Sequence, residues 1–164
     1  MRIPPLPAVI TLLPLALAVA PPVASASAPV HDEGSESGFV FVTDCGDFEI
    51  WDDYETNWSS KVFHDDEGST TRVVEHVWGS DTFVNTTSGE SVSGTFNNGE
   101  IVDLTEPTVT QNGSNGLITL PGVGLVFVDV GRYVLNIDTF EFTFVKGKHG
   151  FIDEDYTRLC EVLS

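Results

Sequence analysis

Between Leu117 and Val145 the chain reads LITLPGVGLVFVDVGRYVLNIDTFEFTFV, three runs of β-branched and aromatic residues parted at Gly131-Arg132 and Asp138-Thr139. Two-residue breaks between such runs signal tight hairpins, and a glycine opening the loop suits a type II′ turn. With both turns in place, the period-two alternation of side chains sets Val126, Val128, Val130, Tyr133, Leu135, Ile137, Phe140, Phe142 and Phe144 on one side of a meander. Those residues form the expected core wall. The other side carries Asp129, Asn136, Glu141 and Thr143, with Leu125, Phe127 and Val134 as apolar exceptions.

The same alternation recurs upstream. Gly38 to Cys45 reads as a first strand with Phe39, Phe41, Thr43 and Cys45 on one face, continued at Phe48 to Trp51. Asp52 to Glu55 is expected as an acidic loop. Trp58 to His64 and Thr70 to Trp78 alternate on either side of a turn at Asp65-Asp66-Glu67-Gly68. Thr82 to Thr87 and Ser91 to Phe96 flank Ser88-Gly89-Glu90. Asn97-Asn98-Gly99 and Asn112 to Gly116 are rich in residues that tolerate positive φ, so both are expected to leave the sheet. Ile101 to Thr110 is a strand interrupted at Pro107. From Ile152 the period changes: Ile152, Tyr156, Leu159, Cys160 and Leu163 fall at helical spacing, with Asp153 as the N-cap. The pattern predicts an all-β fold, an antiparallel barrel or sandwich of about 8–10 short strands, closed by a short C-terminal helix. That helix is expected to cover Leu125, Phe127 and Val134.

The opening residues follow another logic. Met1-Arg2 precedes an apolar run from Ala8 to Ala20, and Ala24-Ser25-Ala26 has the small-x-small form of a signal peptidase site. The run is short for a bilayer span of about 20 residues and contains proline. Residues 1–26 are therefore expected to be a cleaved signal peptide, residues 27–37 a flexible leader, and residues 38–164 a single β-domain. Cleavage removes Arg2 and no acid, leaving six basic residues against 25 acidic ones, a formal charge of −19. Such a charge repels nucleic acid and anionic lipid, and no membrane insertion is expected after cleavage. The expected location is outside the cell. There, the two cysteines, Cys45 and Cys160, most simply form one disulfide, tying the C-terminal helix to the first strand.

Candidate chemistry is sparse. His64 and His76 lie on neighbouring strands near Asp65, Asp66 and Glu67. A hairpin at 65–69, however, sets His64 beside Thr70 and leaves His76 about 20 Å away. His31 sits in the leader and His149 in the basic turn Lys146-Gly147-Lys148-His149-Gly150. The clusters Asp52-Asp53, Asp65 to Glu67 and Asp153 to Asp155 offer hard oxygen ligands of the kind calcium takes, without the DxDxDG spacing. GxSxG, HExxH, P-loop and GxGxxG motifs are absent, so no catalytic residue, metal ligand or cofactor is assigned. Asn57-Trp58-Ser59, Asn85-Thr86-Thr87 and Asn112-Gly113-Ser114 are N-glycosylation acceptors in form.

Several turn motifs carry a resemblance: Phe83-Val84-Asn85-Thr86-Thr87-Ser88-Gly89, Leu120-Pro121-Gly122-Val123-Gly124, Gly131-Arg132, and Gly147-Lys148-His149-Gly150 ahead of Cys160. With the early Cys45, they make residues 38–163 similar to a group of small secreted actinobacterial proteins of unassigned function. The resemblance implies an antiparallel β-barrel-like domain and transfers no site residue. The expected role is that of a secreted non-enzymatic β-domain, binding a small molecule or an extracellular protein or serving at the cell surface. The alternatives are a small β-barrel isomerase or cyclase acting on an apolar small molecule, or a calcium-dependent surface module.

Overall fold

A computed structural model describes residues 28–164. Seven strands follow one another as an uninterrupted antiparallel meander: β1 (Val30–Asp44), β2 (Glu49–His64), β3 (Thr70–Asn85), β4 (Ser91–Asp103), β5 (Thr108–Leu120), β6 (Gly124–Asn136) and β7 (Glu141–His149). Two short helices end the chain, α1 (Gly150–Asp153) and α2 (Thr157–Val162). The fold is all-β. It is built as one open sheet in the order β1 to β7, with fewer and longer strands than the sequence pattern suggests.

The extra length comes from segments expected outside the sheet. Residues 30–37 of the expected leader pair with β2, Val30 facing Val62 and Ser37 facing Glu55. Asp52 to Glu55 is strand, not loop. Asn97-Asn98-Gly99 and Asn112 to Gly116 face each other across β4 and β5, with Asn98 opposite Gly113. A Cβ on Gly113 would come within 2.6 Å of the Asn97 carbonyl oxygen. These glycines let two strands approach closely, which is the other use of glycine inside a strand.

Gly131 behaves the same way. It faces Gly147 in the interior of the β6–β7 ladder, and a Cβ on either would collide with the opposite strand's carbonyl. No hairpin forms there, and this overturns the expected core wall. Without the turn, parity carries Phe127, Asp129, Gly131, Tyr133 and Leu135 onto one face of β6 and moves Val128 and Val130 to the other. Phe127 is 3% exposed, whereas Phe142 is 45% exposed and Phe144 and Phe140 also lie open to solvent. The turn at Asp138-Thr139 does form: Asn136 Oδ1 accepts the N–H groups of Asp138 and Thr139. Leu135 faces Phe142 as expected, but an irregularity between Val134 and Leu135 then sets Tyr133 opposite Val145 rather than Phe144.

The sheet curls. Strands β3 and β6 are separated by two others, about 14 Å along a flat sheet. Yet the Phe83 and Phe127 rings meet at 5.7 Å between centroids. On the resulting inner face Ile50, Phe83, Val92, Ile118 and Phe127 pack with Leu159 and Leu163 into the core, at the end of the sheet where the helices sit. The helical stretch is broken, since Glu154 adopts a left-handed conformation and the Asp155 N–H donates to the Gly150 carbonyl. Asp153 therefore closes α1 instead of capping a longer helix, and Tyr156 precedes α2. The helices do cover Phe127, against which Tyr156 stacks at 6.1 Å, but Leu125 remains exposed. Cys160 on α2 is bonded to Cys45, just beyond β1. No helix among the described residues is long and apolar enough to cross a membrane.

Reading across the strands, the register lines up whole rows. At the end far from the helices an inner row runs Val30, Val62, Val73, Val102, Val109, Leu135, Phe142. Farther up, an outer row runs Glu33, Ser59, His76, Gly99, Asn112, Arg132, Lys146.

Candidate functional site

The inner face gathers carboxyl groups. Alternation from the buried Asp52 places Asp32, Glu36, Glu75, Asp81, Glu100 and Asp129 on the same side of the sheet. Asp52 and Asp81 are diagonal neighbours on β2 and β3, 8% and 5% exposed, and hydrogen-bond each other. Two adjacent carboxyl groups can do so only by sharing a proton. Burial, then the Asp52 charge, push Asp81 up to about 7. Burial also raises Asp52, against the lowering effect of the Thr82 N–H it accepts at 3.1 Å. Glu75 and Glu100 pair directly across β3 and β4. Both are raised, first by burial, then by the charge of Glu36 on Glu75 and of Glu75 on Glu100.

A second group ties the sheet to the helices. Asn98 Nδ2 donates to Asn115 Oδ1 at 2.9 Å, and Asn115 Nδ2 donates to Gln111 Oε1 and Asp129 Oδ1. Asp129, 1% exposed, accepts the Phe151 N–H at 2.9 Å and so anchors the start of α1. His149 is buried beside it, Nδ1 3.3 Å from Asp129 Oδ1 and Nε2 3.3 Å from the Lys146 carbonyl oxygen. This arrangement positions backbone, and a cleft of about 220 Å³ beside it is lined by Phe127, Lys148, His149, Asp153, Asp155 and Arg158. Asn98 Oδ1 and Ser114 Oγ, buried within the sheet, are without a partner among the described residues.

Of the other histidines, His64 stands apart, while His31 and His76 border the same outer hollow. His64 ends β2 and lies 3.3 Å from Thr70 Oγ1, as the hairpin at 65–69 requires. His76 points to the outer face, 3.0 Å from Asn97 Oδ1 and stacked on Trp78. His31 is held in β1 opposite Lys61 and, with Glu33 and His76, lines an outer hollow of about 560 Å³. Asp65 binds the backbone N–H groups of Glu67 and Ser69, forming the β2–β3 turn. Asp52 and Asp53 point to opposite faces, and Asp153 to Asp155 lie at and beyond the end of α1. Among the described residues no three His, Cys, Asp or Glu side chains converge as metal ligands would. Of the three sequons, Asn85 is buried and donates to the Leu163 carbonyl oxygen at 2.7 Å, while Asn57 and Asn112 are exposed.

What sequence reasoning missed is the pair of edges. Among the described residues β1 pairs only with β2 and β7 only with β6. Strand β1 carries Asp32, Glu33, Glu36 and Asp44 and no lysine or arginine; β7 carries Lys146 and Lys148 against Glu141, with Arg132 alongside on β6. Val30, Phe39, Val40 and Phe41 are exposed on the first edge, and Phe142, Phe144 and Val145 on the last. Charge counts along the two segments hold this signal once both are known to be edges. No family model, no curated protein and no solved structure matches the chain.

Proposed function

We propose that the protein is exported, loses residues 1–26, and acts outside the cell as a non-catalytic binding module whose working surface is the edges of its sheet. The observation that carries this reading is the pair of open edges, long, apolar in part and of unlike charge. Exposed edges of this kind are templates for strand pairing with another chain. The interior is a poor alternative. Trp58 lies against Gly34 and Tyr54 against Gly38 so closely that a Cβ at either glycine would fall within 2.5–2.7 Å of the ring. The proton-sharing pair Asp52 and Asp81 is the feature that favours an enzyme, as such pairs serve acid–base chemistry. It is nevertheless enclosed next to Phe83 in the core, where no substrate reaches it. The Cys45–Cys160 disulfide suits an oxidising compartment. The likeness of the turn motifs to those of small exported actinobacterial proteins points the same way.

The test is the intact mass of protein recovered from the culture medium, with and without reduction and alkylation. The expected product begins at Ser27 and takes up alkyl groups only after reduction. Protein retained in cells with its N-terminus intact, or with two thiols free, overturns the reading.

A further inference from the structure

We propose that the edges serve each other: copies of this chain join head to tail, the first strand of one copy against the last strand of the next. This rests on the edges being the working surface and names the partner as a second copy. An odd number of antiparallel strands makes β1 and β7 run in the same direction. A neighbour related by rotation about one axis therefore continues the sheet through a parallel β7–β1 pair. Such a contact is heterologous, so association proceeds until a ring closes or a chain of copies forms.

Charge decides between this arrangement and the two-fold alternatives. Pairing β1 with its own copy joins two strands that each carry four carboxylates and no lysine or arginine, and pairing β7 with its own copy joins two strands that are each of net charge +1. Like charges opposite one another destabilise a sheet. The unlike edges attract, four acids against a strand of net charge +1 with Arg132 beside it. Each edge thus repels itself and suits the other.

The rows supply the register. Continued straight into the next copy, the inner apolar row brings Val30 beside Phe142, both about half exposed in the single chain. The same register extends the outer row and sets Glu33 beside Lys146. One alignment therefore buries apolar side chains on one face and joins opposite charges on the other.

Analytical ultracentrifugation of protein purified from the medium, over a range of concentration and salt, tests the proposal. At low salt the wild type is expected to sediment as species above the monomer that dissociate as salt screens the contact. Glu33→Lys with Glu36→Lys, and separately Lys146→Glu with Lys148→Glu, should each weaken self-association roughly 10- to 100-fold. All four positions are on the surface strands, and an unchanged circular dichroism spectrum confirms that the variants fold. Mixed in equal amounts, the two variants are expected to recover association, since each then offers the edge the other lacks. Introducing Glu33→Cys and Lys146→Cys together should give bridges between chains. A wild type monomeric at every concentration overturns the proposal, as does association insensitive to both reversals or a Glu33→Cys, Lys146→Cys bridge formed within one chain. A monomeric exported protein would still leave edge binding to a different partner in place, whereas failure of export sinks the functional reading however the protein sediments.

Discussion

Asp81 makes the fold's stability depend on pH in a direction opposite to that of most carboxylates. In the folded chain burial and the neighbouring Asp52 raise it from 3.8 to about 7. Between those values the native state holds a proton that the unfolded chain has released, so stability falls as pH rises through this window. Ionising the group in place costs about 4 kcal/mol, taken as an upper figure because Asp52 shares the proton. The raised acids Asp52, Glu75 and Glu100 add to the same trend. Asp81→Asn isolates one contribution, since the amide keeps a donor for Asp52 and never ionises. Urea unfolding at pH 5 and pH 8 is the assay. Wild type is expected to lose stability between the two, and Asp81→Asn to lose markedly less and to exceed wild type at pH 8. If wild type is as stable at pH 8 as at pH 5, or the variant is the weaker at pH 8, the reasoning about the buried pair is wrong.

Phe83→Ala should cost about 3–5 kcal/mol, because the ring is fully buried against Phe127, whereas Phe142→Ala at the exposed edge should cost about 1 kcal/mol in the same urea titration. Replacing Cys45 and Cys160 together with serine removes a link across 115 residues and should lower stability by about 4–5 kcal/mol on the chain-entropy model, read from denaturant midpoints under non-reducing conditions. Asn85→Ala strips the Leu163 carbonyl of its donor and the Thr87 and Ser88 N–H groups of their acceptor, for an expected loss of about 2–3 kcal/mol; in a glycosylating host, peptide mapping should find Asn85 bare even where Asn57 and Asn112 are modified.

The all-β class, the 65–69 and 88–90 hairpins and the disulfide pairing were legible because each rests on local chemistry or on a count of two. The core was not. The error turned on Gly131, where a two-residue break in an apolar run carries the same letters whether the chain reverses or two strands press together. Only the identity of the opposing residue, Gly147, distinguishes the cases, and that is a long-range fact. Asn97-Asn98-Gly99 opposite Asn112-Gly113 repeats the lesson. Asp129 was placed on the side opposite the core wall by the same parity slip, although an acid in mid-strand beside Phe127 becomes intelligible once the Phe151 N–H needs an acceptor. The leader was misread for a different reason. His31 to Glu36 has no apolar period because an edge strand need not have one when its neighbour supplies the ladder.

The two edges are also held in the same way, which bears on what the sheet is built to present. Strand β1 runs into Cys45 and is fixed there to α2 through Cys160. Strand β7 runs into His149, which meets Asp129, while the same carboxylate accepts the N–H of Phe151 in the first turn of α1. Both edges are thus fastened at the end that holds Ile50, Phe83, Ile118 and Leu159. At the opposite end the row from Val30 to Phe142 lies outside that core and is only partly covered. A sheet stabilised at one end in this manner can leave its edges unpaired without losing the fold, because the strands are anchored by covalent and buried polar links rather than by closure. The burial that a closed barrel would obtain from its own first and last strands is then available to a contact with another chain.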